Sequence, residues 1–317
     1  MKRFFVLILL FVTFLTLSCQ NKSAVSLLKS DNPPTVEYRT LDAPIAESKI
    51  TKLIKGFDKN DHFGASGIYS NGNYFYITFD NTHEIAKVLN TLPSNSKMNQ
   101  LIGKKQGKSN YEGITFDPSS NHWYVLEESQ PKDSLYSPRI NQFDQSFVLE
   151  NVNWSNSIFT EVNANKAFEG VAFVNRNSIN YLLGLVEGTG TIVVMQLIGE
   201  TWVGVSEFNI PVKFRDYSDI TIFYDRIAVT SQEDAKLYIG LLSPSAWKTV
   251  GNSIVYNFPK GDKNGIVGSG NLLIYANVEG VSFINDNTIV TCTDRANEHQ
   301  PKFHKHKHQS IQIFKLN

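Results

Sequence analysis

The chain repeats one short pattern five times: a Glu-Gly pair, or a close variant of it, followed by an apolar run. The pairs are Ser66-Gly67, Glu112-Gly113, Glu169-Gly170, Ser218-Asp219 and Glu279-Gly280. Successive pairs are 46, 57, 49 and 61 residues apart. Self-similarity at such a spacing is typical of repeat architectures, so it restricts the possible folds more strongly than composition does.

Each repeat has room for four β-strands. In every copy the pair is followed by an apolar alternation, a short turn and a second strand-like run. Two more strand-like runs follow in the first four copies, for example "TIVVMQLIG" and "WVGVSEFNI" after the third. This organisation predicts an all-β fold, a β-propeller of five blades. The stretch between Pro259 and Asn277, which contains "NLLIYAN", leaves six blades possible.

The two ends of the chain are predicted to meet in one blade. After the fifth copy only one further strand, "SIQIFKLN", fits before the chain stops, so that blade lacks a fourth strand. The segment "SKITKLIKGF", at 48–57, is the candidate for the missing strand. We therefore expect residues 36–317 to form a single propeller domain closed by N- and C-terminal strands.

The N-terminus has the pattern of an export signal. Lys2 and Arg3 precede an apolar run from Phe4 to Leu17, which is short for a membrane-spanning helix and fits a secretory signal. Cys19 follows this run, and segment 1–19 resembles a bacterial lipoprotein signal, although Thr16 occupies a position where that pattern prefers Leu. The resemblance implies a lipid on Cys19, a polar tether at 20–35 and a location in the bacterial cell envelope. The alternative is an ordinary signal peptide that is cleaved nearby.

Charge and cysteine content exclude some classes of function. The formal net charge is zero, and it becomes −2 if Lys2 and Arg3 are removed with a signal. This balance gives no electrostatic basis for binding nucleic acid. Cys292 is the only other cysteine, so the exported chain contains no intramolecular disulfide.

Acidic residues recur at two places in the repeat, and the fold predicts that these places share one rim. The start of a blade's first strand and the end of its second lie at the same end of the sheet. The second strands end in Asp80, Glu127, Glu128, Glu187, Glu233, Asp234 and Asp294. Converging carboxylates repel each other unless a cation is present, and oxygen ligands from several strands suit Ca²⁺. The predicted calcium ligands are Glu112, Glu128, Glu169, Asp219, Glu279 and Asp294. The alternative is structural, with the Glu side chains accepting backbone hydrogen bonds between blades.

The pattern Glu-Gly-(Ile/Val)-x-Phe, followed by a strand with an acidic end, resembles the phytase-like and SdiA-regulated β-propellers. The resemblance covers most of residues 60–295 and implies calcium at the channel for some members and phosphatase activity for others. Ser66 and Ser218 depart from the Glu pattern, with Asp219 as a possible substitute one position later. No cluster of Lys and Arg accompanies the motifs, and only Arg139, Arg215 and Arg295 occur near blade ends.

Two classes of function follow from the sequence. The first is a membrane-tethered, calcium-stabilised propeller that binds a protein or glycan on one face. The second is a metal-dependent propeller hydrolase acting on a phosphoester or a related ester. The run "EHQPKFHKHKHQS" is a second candidate metal site. An extended backbone would place His304, His306 and His308 on one face, where they could bind a metal ion. A solvated loop between two strands of the closing blade is the favoured alternative. No catalytic residue is assigned, and no organic cofactor is expected.

Overall fold

The computed structural model describes residues 35–55, 63–103, 105, 107–295 and 299–317. The predicted signal segment, Cys19 and all but the last residue of the predicted tether lie outside these residues. Within the described residues, no helix has the length and apolar character required to cross a membrane.

The described strands form five four-stranded antiparallel units, of which four are simple meanders and the fifth takes its last strand from the N-terminal part of the chain. The chain begins with β1 (Val36–Thr40), β2 (Ala46–Lys49) and the helical turn α1 (Ile50–Leu53). The first unit consists of β3 (Ala65–Ser70), β4 (Tyr74–Phe79), β5 (Thr82–Leu89) and β6 (Gln100–Gly103). The second consists of β7 (Tyr111–Asp117), β8 (His122–Lys132), β9 (Leu135–Phe143) and β10 (Leu149–Ser155).

The remaining units have the same order of strands. The third consists of β11 (Phe168–Arg176), β12 (Ile179–Val186), β13 (Thr191–Ile198) and β14 (Thr201–Asn209). The fourth consists of β15 (Asp219–Phe223), β16 (Arg226–Ser231), β17 (Lys236–Leu242) and β18 (Thr249–Asn257). The fifth consists of β19 (Val278–Asn285), β20 (Thr288–Thr293), β21 (Ser310–Lys315) and, from the other end of the chain, β2.

The first strands of the units form a closed ring. Strands β3, β7, β11, β15 and β19 contact one another in that order, and β19 also contacts β3. A ring of meanders whose first strands face a common centre is a β-propeller, so the predicted all-β propeller fold is confirmed. The second and third units are further joined at their outer edges, where β10 and β14 pair in parallel.

Closure of the ring by the N-terminus is confirmed, but the closing strand lies earlier in the chain than predicted. Strand β2 pairs antiparallel with β21, from Ala46 opposite Ile313 to Lys49 opposite Ser310. Only Ser48 and Lys49 of the predicted strand over 48–57 lie in β2, because α1 begins at Ile50; residues 56 and 57 lie outside the described residues. Ile50 and Leu53, three residues apart, are both fully buried by this helical turn.

Two further differences from the predicted strands concern the fourth unit and the segment after it. Strand β1 pairs in parallel with β18 and adds an outer strand that the sequence analysis did not assign. The stretch Pro259–Asn277 is described throughout and contains only isolated bridges, from Gly261 to Val267 and Leu272. It therefore supplies no strands for a sixth unit.

Aromatic side chains of the repeat join neighbouring units. The ring of Phe116 lies 6.4 Å from that of Tyr69 in the preceding unit. Phe283 stands at the same place in the fifth unit, and its ring lies 5.8 Å from that of Phe223 in the fourth. These contacts form part of the apolar layers between adjacent sheets, which make up the core.

Candidate functional site: an acidic channel mouth

The three Glu residues of the repeat occupy β-bulges at the starts of their strands. Tyr111 pairs with Glu127 and Gly113 pairs with Leu126, so Glu112 is an extra residue with no partner of its own. Glu169 is the extra residue in the same way between Phe168 and Gly170, and Glu279 lies in the corresponding irregularity of β19. A bulge redirects one side chain out of the alternation of a strand, which explains how the Glu residues face the channel while their neighbours pack in the core.

The glycine after each Glu is required by close approach of the neighbouring unit. A side chain on Gly113 would lie 2.7 Å from the backbone nitrogen of Val171, and one on Gly170 would lie 2.7 Å from that of Ile220. On Gly280 it would lie 2.8 Å from the backbone nitrogen of Ile68. The paired Gly therefore belongs to ring packing, and the Glu requires a separate explanation.

Asp219 occupies the position of this glycine in the fourth unit, and its carboxylate accepts hydrogen bonds from backbone N–H groups. The backbone N–H groups of Ile220 and Val281 each donate to it at 2.8 Å, and the N–H of Ile68 also hydrogen-bonds to it. These donors come from three different units. Burial raises the pKa of Asp219, and the three N–H donors act in the opposite direction. The structure thus places this predicted calcium ligand in a role that joins units.

A second set of carboxylates lies beside the Glu residues, at the ends of the second strands. The backbone N–H of Asp80 donates to Gly64 O at 2.9 Å, and that of Glu128 donates to Asn110 O at 2.8 Å. Two further pairs, Glu187 with Ala167 and Asp294 with Asn277, have the same bond at 2.8 Å. The acceptor in each pair lies two residues before the repeat's Glu or its substitute. The predicted meeting of strand starts and strand ends at one rim is therefore observed.

We call this set the acidic mouth, defined by seven residues. They are Asp80, Glu112, Glu128, Glu169, Glu187, Glu279 and Asp294. The set leaves out Asp216 of the fourth unit, whose carboxylate accepts hydrogen bonds from Ser231 Oγ at 2.5 Å and from the N–H of Glu233 at 3.1 Å. The charge of Asp216 nevertheless acts on Glu187 and Glu279.

The inner carboxyls of the mouth, those of Glu112, Glu169 and Glu279, are in an environment that disfavours their ionised form. Glu112, Glu169 and Glu279 are half-buried. Burial is the main cause that raises the pKa of each well above its ordinary value. The other carboxylates of the mouth add to this effect: Glu128 on Glu112, Glu112 on Glu169, and Asp294 on Glu279.

The pKa values of the outer carboxyls, those of Glu128, Glu187 and Asp294, are raised as well, and a nearby cation acts against each rise. Burial raises the pKa of Glu128 to about 7, against the lowering effect of Lys108. Burial also raises the pKa of Asp294 to about 7, with Arg295 acting against it. Lys166 lies 3.4 Å from Glu187, the one ion pair that the described residues make with the acidic mouth.

Several charged residues predicted near the rim are paired with each other. Glu127 is buried and forms an ion pair with Arg139, and it accepts a hydrogen bond from Asn141 at 3.2 Å. Arg215 lies 2.8 Å from Asp234 and 3.9 Å from Glu233. Arg139 and Arg215 therefore each have a carboxylate partner.

Buried oxygen atoms of the acidic mouth, and of two asparagines beside it, accept no hydrogen bond from any described residue. They belong to Asp80, Asn110, Glu187, Asn277 and Asp294. Sequence analysis missed Asn110 and Asn277, although each stands two residues before a repeat Glu, in "SNYEG" and "ANVEG". Within the described ranges, no three His, Cys, Asp or Glu side chains form a group that could hold one metal ion.

The histidine-rich run adopts a different structure from the extended one that chelation required. Residues Lys302–His306 form a 3₁₀ helix between β20 and β21, as part of the loop that was the favoured alternative. A 3₁₀ helix has about three residues per turn, so alternate histidines do not share a face. The ring of His304 packs against Phe303 at 4.7 Å, and burial lowers the pKa of His308 to about 4.

No protein-family model and no curated protein sequence matches the chain. Solved structures with a similar chain trace include the glutaminyl cyclase of Myxococcus xanthus. The sequence identity is 10 % and the TM-score is 0.49, and the match covers 90 % of this chain and 100 % of that one. A luciferin-regenerating enzyme has 9 % identity, a TM-score of 0.47, and coverage of 86 % and 95 %.

The Cps50 (Swd1) β-propeller domain of Myceliophteria thermophila has 8 % identity, a TM-score of 0.40, and coverage of 86 % and 100 %. With such identities and TM-scores, the propeller assignment depends on the strand order of this chain itself.

Proposed function

We propose that this protein is an exported β-propeller whose acidic mouth binds calcium and whose stabilised rim binds a protein or glycan. One observation supports the proposal most: seven carboxylates from four units meet at one mouth, where the described residues provide a single ion pair, with Lys166. Carboxylates in a partly desolvated channel are stabilised by protons or by a cation. Oxygen ligands from several strands, in irregular geometry, favour Ca²⁺ among the common metal ions.

Calcium is tested with the full chain in detergent micelles, stripped of metal by a chelator. A ligand that binds only the folded state stabilises it by about 2.7 kcal/mol at a hundred-fold excess over Kd. Millimolar CaCl₂ is therefore expected to raise the melting temperature by several degrees relative to chelator. MgCl₂ at the same concentration serves as the control, because Mg²⁺ requires a stricter octahedral geometry. Identical melting curves in calcium and in chelator would contradict the proposal.

We also propose that a lipid on Cys19 holds the protein at a membrane of the bacterial envelope. The apolar run, the small residue Ser18 and Cys19 in "TLSCQ" support this assignment. Intact-mass analysis of the membrane-extracted protein is expected to show a diacylglyceryl group on an N-terminal Cys19. A mature chain that begins after Cys19 and carries no lipid would refute the anchor and leave the calcium proposal standing.

A phosphoester hydrolase is the alternative that the resemblance to phytase-like propellers implies. Such an enzyme requires cationic side chains free to hold a phosphate. Of the three arginines near blade ends, Arg139 and Arg215 are paired with carboxylates, and Arg295 lies beside Asp294 and acts against the rise of its pKa. These three side chains therefore form no cationic cluster, which makes binding the better supported function. Turnover of a phosphomonoester by the calcium-loaded chain, lost on addition of chelator, would reverse this preference.

A further inference from the structure

Two carboxylate oxygens without a partner lie close together where the fifth unit meets the first. A side chain on Gly64 would collide with Oδ1 of Asp80 and would come within 3.2 Å of Oδ1 of Asp294. Both oxygens are buried and have no hydrogen-bond partner among the described residues. Two carboxylates held over one glycine repel each other when ionised, so their arrangement favours a positive charge at this point.

An amide oxygen accompanies this pair. Asn277 is only 4 % exposed, and its backbone carbonyl accepts the N–H of Asp294 at 2.8 Å. Residues that pair directly across antiparallel strands have side chains on the same face, so the side chains of Asn277 and Asp294 are neighbours.

The chemistry of this amide indicates a cation more specifically than the carboxylates do. Nδ2 of Asn277 donates to Gln300 Oε1 at 3.0 Å and to Arg295 O at 3.4 Å, which identifies the other amide atom as oxygen. That oxygen is buried and accepts no hydrogen bond from the described part of the chain. Carboxyl groups can satisfy each other by taking up a proton, but an amide oxygen only accepts, so it requires a donor or a metal ion.

We propose that a calcium ion binds at this junction, with Asp80 and Asp294 as carboxylate ligands and Asn277 as an amide ligand. Water molecules complete the coordination, as is usual for Ca²⁺. This inference rests on the proposed function and gives the cation a defined place. It differs from the sequence-based ligand set, since Glu112, Glu169 and Glu279 lie outside the site. Two carboxylates and one amide also agree with the lack of any three-membered His, Cys, Asp or Glu group among the described residues.

The experiment measures calcium binding by isothermal titration calorimetry on the metal-stripped full chain in detergent micelles. The double variant Asp80→Asn with Asp294→Asn keeps the shape of both side chains and removes their charge. It is expected to bind calcium at least tenfold more weakly than the wild type. The triple variant Glu112→Gln, Glu169→Gln and Glu279→Gln removes charges of the acidic mouth that lie outside the junction site, so it is expected to weaken calcium binding by a smaller factor than the double variant does. Asp286→Asn, in the exposed turn between β19 and β20, is the matched control and should bind normally.

The outcomes separate this inference from the proposed function. If the wild type binds no calcium, the proposed function fails and the junction site fails with it. If the wild type binds calcium and the double variant binds equally well, or the triple variant binds more weakly than the double variant, only the junction site is refuted. Should the double variant not fold, Gly64→Ala is an uncharged test, because its methyl group would occupy the space between the two oxygens. Loss of binding in Gly64→Ala supports the site, and wild-type binding refutes it.

Discussion

At the scale of residues, the Glu and the Gly of the repeat have separate roles. The Gly permits close contact between units, whereas the Glu occupies a bulge and adds charge to a desolvated channel. A sequence pattern reveals that Glu recurs, but it does not show which carboxylates end up near each other. Asp219 illustrates this limit, since its role depends on backbone donors from three units that are far apart in sequence.

The inner carboxyls should therefore reduce stability at neutral pH when calcium is absent. Burial and the neighbouring carboxylates raise the pKa of Glu169 well above that of an unfolded chain. The folded state then retains a proton that the unfolded state releases above about pH 4.5, so stability falls as the pH rises from there towards the folded pKa. Glu169→Gln mimics the protonated form and is expected to stabilise the chain at pH 8 by on the order of 1 kcal/mol.

This effect is measured by urea unfolding in chelator at pH 4 and pH 8. The gain from Glu169→Gln should disappear at pH 4, where the wild-type carboxyl is protonated in both states. Glu200→Gln, at an exposed position, is the control and should have no effect at either pH. A variant that is destabilised at pH 8 would show instead that the ionised Glu169 holds units together by hydrogen bonds.

At the scale of elements, the sequence predicts strands well where their signal is local. The apolar runs "EIAKVLN" and "KLYIGLLS" correspond to β5 and β17, because most of their apolar side chains are buried between neighbouring units. The parallel pairs β1 with β18 and β10 with β14 were missed, since they join segments far apart in the chain. The turn α1 was missed because "ITKL" is too short for a helical period, and its helical form follows from burial of Ile50 and Leu53.

At the scale of the whole molecule, the ring depends on one short strand from the N-terminus. Strand β2 has only four residues, but side-chain bonds reinforce its pairing with β21 and with the loop before it. Lys307 lies 2.6 Å from Glu47, and Lys49 donates to the backbone carbonyl of Lys305 at 2.9 Å. The repeat predicted that the ends of the chain would meet, yet these contacts involve residues more than 250 positions apart.

Breaking the pairing of β2 should consequently open the ring rather than loosen a single edge. The N–H of Ile50 donates to Gln309 O at 2.8 Å. Hydrogen-bonded pairs alternate with non-bonded pairs along antiparallel strands. Ser48, two residues earlier and opposite Ile311, is therefore also in a hydrogen-bonded position. Ser48→Pro removes this donor and is expected to cost about 3 kcal/mol, whereas Ser48→Ala at the same position should cost well under 1 kcal/mol. Calorimetry should show a single transition shifted downward for Ser48→Pro, because a propeller without its closing strand exposes the apolar layer between the fifth and first units. If both variants melt together, β2 is an accessory strand, and the contacts among the first strands alone hold the ring closed.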